Sequence, residues 1–276
     1  MPVLHAIILG IAQGLSEFLP ISSSGHLLII PKLFGWTELT RNPSIEKSFD
    51  VALHIGSLLA TMVALRHECR TVLRGAWHHV TNQRSTSEAT LARNVLIATI
   101  PAAAVGAIFE DLIDEHLGKP ILVGAMLVIF GLVLLWADQQ PATRGTADIG
   151  WRDALTMGCA QALALQPGVS RSGITMTAGR FRNLDRRSAA RFSFLLLIPV
   201  TLGAGIVKGA KLISSGGIPK GFEGAFLWGT VASAITGFLA IALLLRLLSS
   251  MSFRPFVVYR VIAGLATIAI FATGVR

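Results

Sequence analysis

Apolar runs separated by short polar clusters dominate the chain. Six runs are nearly free of charge, at roughly residues 51–65, 94–109, 120–137, 192–207, 224–245 and 256–275. A helix crosses a bilayer with roughly 20 mostly apolar residues, so each run predicts a transmembrane helix with polar flanks at the interface. Two more apolar regions, 1–31 and 154–180, are interrupted in the middle. The interruptions read LPISSSGH from Leu19 to His26 and QPGVSRSG from Gln166 to Gly173. Proline lacks a backbone donor and pushes the preceding residue out of the helical region, so each region predicts helix–loop–helix. Non-helical backbone survives at membrane depth only when buried in protein or lining a wet cavity. Both regions therefore predict re-entrant hairpins.

The charged segments orient these elements. Segments 66–93 and 180–191 carry five Arg each, whereas 110–119 carries Glu110, Asp111, Asp114 and Glu115 against one Lys. With the Arg-rich loops in the cytoplasm, 1–31 dips in from outside, 154–180 dips in from inside, and every span alternates. Cytoplasmic Lys and Arg then number 15, with Arg260 snorkelling to that interface, and external ones 8, leaving Arg171 at membrane depth. This follows the positive-inside rule. Both termini come out external, and the acidic segment reads as a solvated loop.

Each half is a hairpin followed by three spans, in opposite sense. At an offset of 148 residues, Gly10 matches Gly158, Ala12-Gln13 matches Ala160-Gln161, Leu15 matches Leu163 and Ser24-Gly25 matches Ser172-Gly173. The expected fold is an all-α polytopic membrane protein: one integral membrane domain, six transmembrane helices and two re-entrant hairpins, in inverted repeats of roughly 1–145 and 146–276. Such repeats place a site near the midplane where the two breaks meet.

Composition agrees. Hydrophobic residues make up 53% of the chain and charged ones 14%, against about 25% charged in soluble domains, and mean hydropathy is +0.65. A soluble globule and a disordered chain are both excluded. Two cysteines, Cys69 and Cys159, exclude a disulfide scaffold and read as free thiols. The net charge of +9 does not point to nucleic acid, because no basic patch is interleaved with aromatics.

The breaks carry the chemistry. Gln13 and Glu17 share a helix face, and a carboxylate in a membrane segment is a functional candidate by default. Ser22, Ser23, Ser24 and His26 follow. The serines suit capping, and Ser23 also suits nucleophilic attack or phosphate binding. His26 suits acid–base or nucleophilic work. The second break supplies Arg171, whose five fixed donors match phosphate oxygens, flanked by Ser170, Ser172 and Thr175. A structural Arg171–Glu17 ion pair is compatible with that role. Together these groups suit hydrolysis of a phosphate ester or anhydride, with Glu17 as base or as holder of a divalent cation. No His/Cys cluster has zinc spacing. Asp50 and His54 either line the entrance or cap and pack. His67, His78 and His79 read as surface residues.

QGLSEFLPISSSGH (13–26) and PGVSRSGIT (167–175), with FDVALHIGSLLA (49–60) and FVVYRVIAG (256–264), closely resemble the motifs of the undecaprenyl-diphosphate phosphatases, the bacitracin-resistance family of bacterial inner membranes. The resemblance implies hydrolysis of undecaprenyl diphosphate to undecaprenyl phosphate, the lipid carrier of cell-wall synthesis. It implies dependence on Mg²⁺ or Ca²⁺, a site on the outer face, and bacitracin as a competitor for the substrate. It further implies catalytic roles for Glu17, Ser23 or His26, and Arg171 as phosphate clamp. Gln13, Ser22, Ser24, Ser170, Ser172 and Thr175 become substrate-binding candidates. Many members have Glu where this chain has Gln13, which places the weight on Glu17. SSSGH and SR also resemble pieces of the other large class of lipid phosphatases, but that class needs a His after its Arg, and none follows Arg171. The nucleophile is thus Ser23, His26 or water. A transporter or flippase of a lipid phosphate is the alternative function, since inverted repeats are also transporter architecture. A homodimer is compatible with the sequence.

Overall fold

The computed structural model describes residues 1–38, 43–81, 86–214 and 216–273, with backbone alone for 43–44 and 110–116. The described residues form eleven α-helices, in the order α1 (Val3–Phe18), α2 (Ser23–Phe34), α3 (Pro43–Ala64), α4 (Arg66–Val80), α5 (Ser87–His116), α6 (Pro120–Asp138), α7 (Trp151–Ala162), α8 (Arg171–Phe181), α9 (Arg186–Ser214), α10 (Glu223–Leu247) and α11 (Arg254–Ala272). Among the described residues five helices are long and apolar enough to cross a membrane, and the pair α3–α4, bent at its break, makes a sixth when taken as one span. These six coincide with the six charge-free runs. Residues 274–275, at the end of the last run, lie outside the described residues.

Both interrupted regions are helix–loop–helix. Ser22 (φ 76°) caps α2 by accepting from the Gly25 N–H at 3.3 Å, and Ser170 (φ 73°) caps α8 by accepting from Gly173 at 3.1 Å. The two caps are 148 residues apart and have the same left-handed backbone. Pro20 follows the end of α1, a 3-10 turn at Leu163–Leu165 separates the end of α7 from Pro167, and in each break a Ser restarts the second helix.

Two segments differ from the loops expected of them. Residues 66–80 form α4, which leaves α3 at 88°. Leu73, Trp77 and Val80 line one exposed side of it, as expected of a helix lying in an interfacial plane. Its C-terminal half docks on the start of α5: His78 Nε2 lies 3.0 Å from Glu88 Oε2 and His79 Nε2 2.9 Å from the Ala89 carbonyl, while His67 is exposed. Beyond a kink at Phe109, α5 continues to His116, so much of the acidic segment is helical in backbone. The side chains of Glu110, Asp111, Asp114 and Glu115 lie outside the described residues. Cys69 and Cys159 are free.

Helix α9 is the central pillar. Its stretch from Ser188 to Leu197 is almost wholly buried among Phe18, Met157, Leu134 and Phe253. Ile100, Ile206, Ile235 and Ile262 stay exposed on the outside, where hydrocarbon is their solvent. Lipid chains are as apolar as these side chains, so helices associate through close packing of small residues. Helix α1 lies on α10, α7 on α5 and α6 on α11. A Cβ on Gly10 would collide with the Gly229 carbonyl, one on Gly158 with the Ala98 carbonyl, and one on Gly264 would meet the Gly124 carbonyl at 2.6 Å.

Arg180, Arg182 and Arg186 of segment 180–191 bond within the protein. Arg180, fully buried, donates to the carbonyls of Leu184, Gln140 and Asp138, and Arg186 pairs with Asp138 at 2.5 Å. Arg144 and Arg182 converge on Asp153 at 2.6 and 2.7 Å. These bonds tie the end of α6 and the start of α7 to the α8–α9 turn.

Gly264→Val tests one of these close crossings. Overpacking a filled contact costs about 1–3 kcal/mol, so thermal denaturation in detergent should show a lower midpoint than wild type, with α6 and α11 forced apart.

Candidate active site

The two breaks meet. The Ser22 hydroxyl, already capping α2, also accepts from the Gly168 N–H at 3.2 Å, and the Ser172 hydroxyl donates to the Leu19 carbonyl at 3.2 Å. Beneath them lies Arg260. The expectation that it snorkels to an interface is overturned: it is 0% exposed. Its Nε donates to Leu127 O (3.1 Å), Nη1 to Pro20 O (3.2 Å), and Nη2 to Gly168 O and Val169 O (3.0 Å each). The physical reason is the breaks themselves. Each interruption leaves carbonyls without helical partners, and a guanidinium is the side chain with enough donors to serve several at once.

Above this clamp is a cavity of about 210 Å³. Glu17, Ser23, Ser24, His54, Gln161 and Arg171 supply its polar wall, with Thr201 of α9 and apolar residues of α5 and α9. Glu17, 5% exposed, is held from three sides. Arg171 Nη2 donates to Oε1 at 2.8 Å, Ser23 Oγ donates to Oε2 at 2.6 Å, and Gln13 Nε2 donates to Oε2 at 3.1 Å. Arg171 also donates from Nη1 to the Ser193 carbonyl at 2.7 Å. A carboxylate and a guanidinium this far from water must be paired, and each leaves the other with donors or lone pairs to spare.

The sequence-named residues divide into two groups. Glu17, Ser23 and Arg171 are brought together, and Ser24 lines the same cavity. Ser22 and Ser170 serve as helix caps. Thr175, fully buried, donates back to the Arg171 carbonyl at 2.8 Å and lies 2.7 Å from Ser193 Oγ. His26 is directed elsewhere: Nδ1 donates to the Ser22 carbonyl and Nε2 accepts from the Tyr259 hydroxyl, both at 2.6 Å. The histidine on the cavity is His54, whose Nε2 lies 3.6 Å from Glu17 Oε2 and whose Nδ1 donates to the Asp50 carbonyl at 2.8 Å. Gln161 and Thr201 had no functional reading in the sequence. The one signal for Gln161 was its correspondence with Gln13.

Residues 6–266 match the profile of the family described as Bacitracin resistance protein BacA. The chain belongs to this family. BacA relatives include the undecaprenyl-diphosphatase of Pelotomaculum thermopropionicum, 43% identical over 273 residues, covering 99% of this chain and 98% of the relative. That of Geobacter sulfurreducens is 43% identical over 271 residues, covering 98% of each. That of Campylobacter curvus is 40% identical over 276 residues, covering 98% of this chain and all of the relative. Both breaks of this BacA chain and the residues lining the cavity between them lie inside the matched residues.

Replacing Arg260 isolates its role. Arg260→Met strips the donors from carbonyls of both breaks, and each buried unpaired carbonyl costs about 1–3 kcal/mol. Its thermal midpoint in detergent should fall well below that of wild type. Arg260→Lys, with three donors from one nitrogen, should recover only part of the loss.

Proposed function

We propose that this chain hydrolyses undecaprenyl diphosphate to undecaprenyl phosphate and inorganic phosphate, returning the lipid carrier to cell-wall synthesis and conferring resistance to bacitracin, which competes for the same diphosphate. One observation carries the reading. Ser23 Oγ lies 2.6 Å from Glu17 Oε2, with Arg171 2.8 Å from the other carboxylate oxygen, in a cavity at the breaks. A hydroxyl on a carboxylate, beside a guanidinium, is a nucleophile–base pair with an anion clamp. The names of the relatives support hydrolysis over transport.

In the proposed reaction Ser23 Oγ attacks the terminal phosphorus and Glu17 takes the hydroxyl proton. The bond from that phosphorus to the bridging oxygen breaks, and undecaprenyl phosphate leaves as the anion. Water then attacks the phosphoserine, its proton goes to the departing phosphate, and Glu17 returns a proton to Ser23. Arg171 uses two of its five N–H groups on Glu17 and Ser193, and the others face the charge that develops on the phosphoryl oxygens. The N-termini of α2 and α8 converge on the same point and favour an anion.

The oxygen donors suit a hard divalent cation, Mg²⁺ or Ca²⁺. Glu17 offers a carboxylate, and the side-chain carbonyl oxygen of Gln13 is buried with no partner among the described residues. Among the described residues no group of three His, Cys, Asp or Glu could hold a metal ion by itself; diphosphate oxygens and water would complete the coordination begun by Glu17 and Gln13. Such a cation, when bound, neutralises charge on the diphosphate.

We further infer inverted repeats of roughly 1–145 and 146–276. The matched caps at Ser22 and Ser170, and the parallel docking of α1 on α10 and α7 on α5, support this. The orientation drawn from charge then opens the cavity to the periplasmic side of the bacterial inner membrane. Ala102 on α5 and Thr201 on α9 lie just past the midpoints of their helices, toward the ends assigned to the outer leaflet, and His54 lies at the middle of α3.

Phosphate release from undecaprenyl diphosphate by purified protein in detergent tests the reading. Arg171→Ala and Glu17→Gln should each lose roughly 100-fold or more in kcat while eluting as folded protein. Near-normal turnover in both would sink the mechanism, and movement of the lipid across sealed vesicles without phosphate release would favour a transporter. A second assay concerns the cation: chelator should abolish release and added Mg²⁺ or Ca²⁺ should restore it.

A further inference from the structure

Gln161 is 2% exposed, lines the cavity that holds Glu17, Ser23 and Arg171, and has no hydrogen-bond partner among the described residues for either atom of its carboxamide. A buried polar group is ordinarily paired, and leaving it bare costs free energy. The contrast with Gln13 explains why it is bare. The two glutamines stand 148 residues apart, each on the first helix of its hairpin. Gln13 donates to Glu17 one turn later and to Ser57. One turn after Gln161 the chain has Leu165, which cannot accept a hydrogen bond. The first half spends its glutamine on positioning the carboxylate, and the second half leaves its glutamine free at the cavity wall.

We infer that Gln161 is a substrate-contacting residue that donates from Nε2 to a phosphoryl oxygen of the lipid diphosphate. The inference rests on the phosphatase reading of the same cavity and extends it. The diphosphate carries more acceptor lone pairs than the remaining N–H groups of Arg171 can meet. A neutral carboxamide adds donors without a second positive charge that would hold the phosphate product. It also faces the cavity from α7, whereas Arg171 reaches in from α8 and Ser23 from α2, so the phosphoryl group is gripped from separate elements.

The test uses Gln161→Met, which keeps the volume and removes the donors, and Gln161→Glu, which keeps the shape and adds negative charge. Two quantities are read in detergent: kcat/KM for undecaprenyl diphosphate, and calorimetric affinity for inorganic phosphate, which needs no turnover. Loss of a hydrogen bond to a charged group predicts roughly tenfold or more lost from both in Gln161→Met, at an unchanged thermal midpoint, and a larger loss in Gln161→Glu. Values within about twofold of wild type for both variants overturn the inference. Should Gln161→Met fail to fold, Gln161→Glu carries the same comparison. A wild type that binds phosphate but hydrolyses nothing refutes the phosphatase reading, and the phosphate affinities then decide the role of Gln161 separately.

Discussion

Interrupting a helix inside a bilayer frees backbone groups that have no water to turn to, and this fold is organised around that debt. Two interruptions are brought face to face and satisfied from within. Arg260, from the last helix, reaches carbonyls of both breaks and of α6. Ser22 and Ser172 bond across the junction in opposite senses, one accepting from Gly168 and the other donating to Leu19. The residues that break the helices thereby also lock them together. Chain segments some 240 positions apart, Pro20 and Arg260, meet at one point.

That lock determines what the site can be. With the breaks held rigidly, the side chains that begin α2 and α8, Ser23 and Arg171, are delivered to one carboxylate on α1. Excluding water makes each charge costly alone, so Glu17 and Arg171 come paired. The same exclusion strengthens every interaction with an arriving phosphate. The cavity is small because its task concerns the headgroup: the prenyl chain can remain in lipid against the exposed apolar faces of the spans. An enzyme whose substrate is a membrane lipid gains from a site at the breaks, since these are the places where polar backbone and hydrocarbon already meet.

Much of this was legible in the sequence, for local reasons. Bilayer thickness sets the length of the charge-free runs, and α5, α6, α9, α10 and α11 follow them. Proline followed by serine and glycine has one local meaning in an apolar stretch, so the breaks at Pro20 and Pro167 could be placed. The rest depended on partners remote in sequence. Arg260 looked like a snorkelling residue because it stands near the start of the last span, and its acceptors lie in three other elements. His26 stood beside the serines in the sequence, yet α2 rotates it onto Tyr259, while His54 comes to Glu17 from α3. The polar composition of 66–80 concealed α4, whose one apolar side rather than its average hydropathy makes it a helix. Gln161 was visible only as an echo of Gln13, and what separates the two is Leu165 standing where the first half has Glu17.

The central claim is that Ser23, activated by Glu17, receives the phosphoryl group. Rapid quenching of purified protein with undecaprenyl diphosphate labelled in its terminal phosphate, followed by peptide mapping, addresses it directly. The account predicts a label that appears and decays within a turnover and maps to Ser23. A label on His26, or phosphate release at full rate with no protein-bound label at any time, would contradict it.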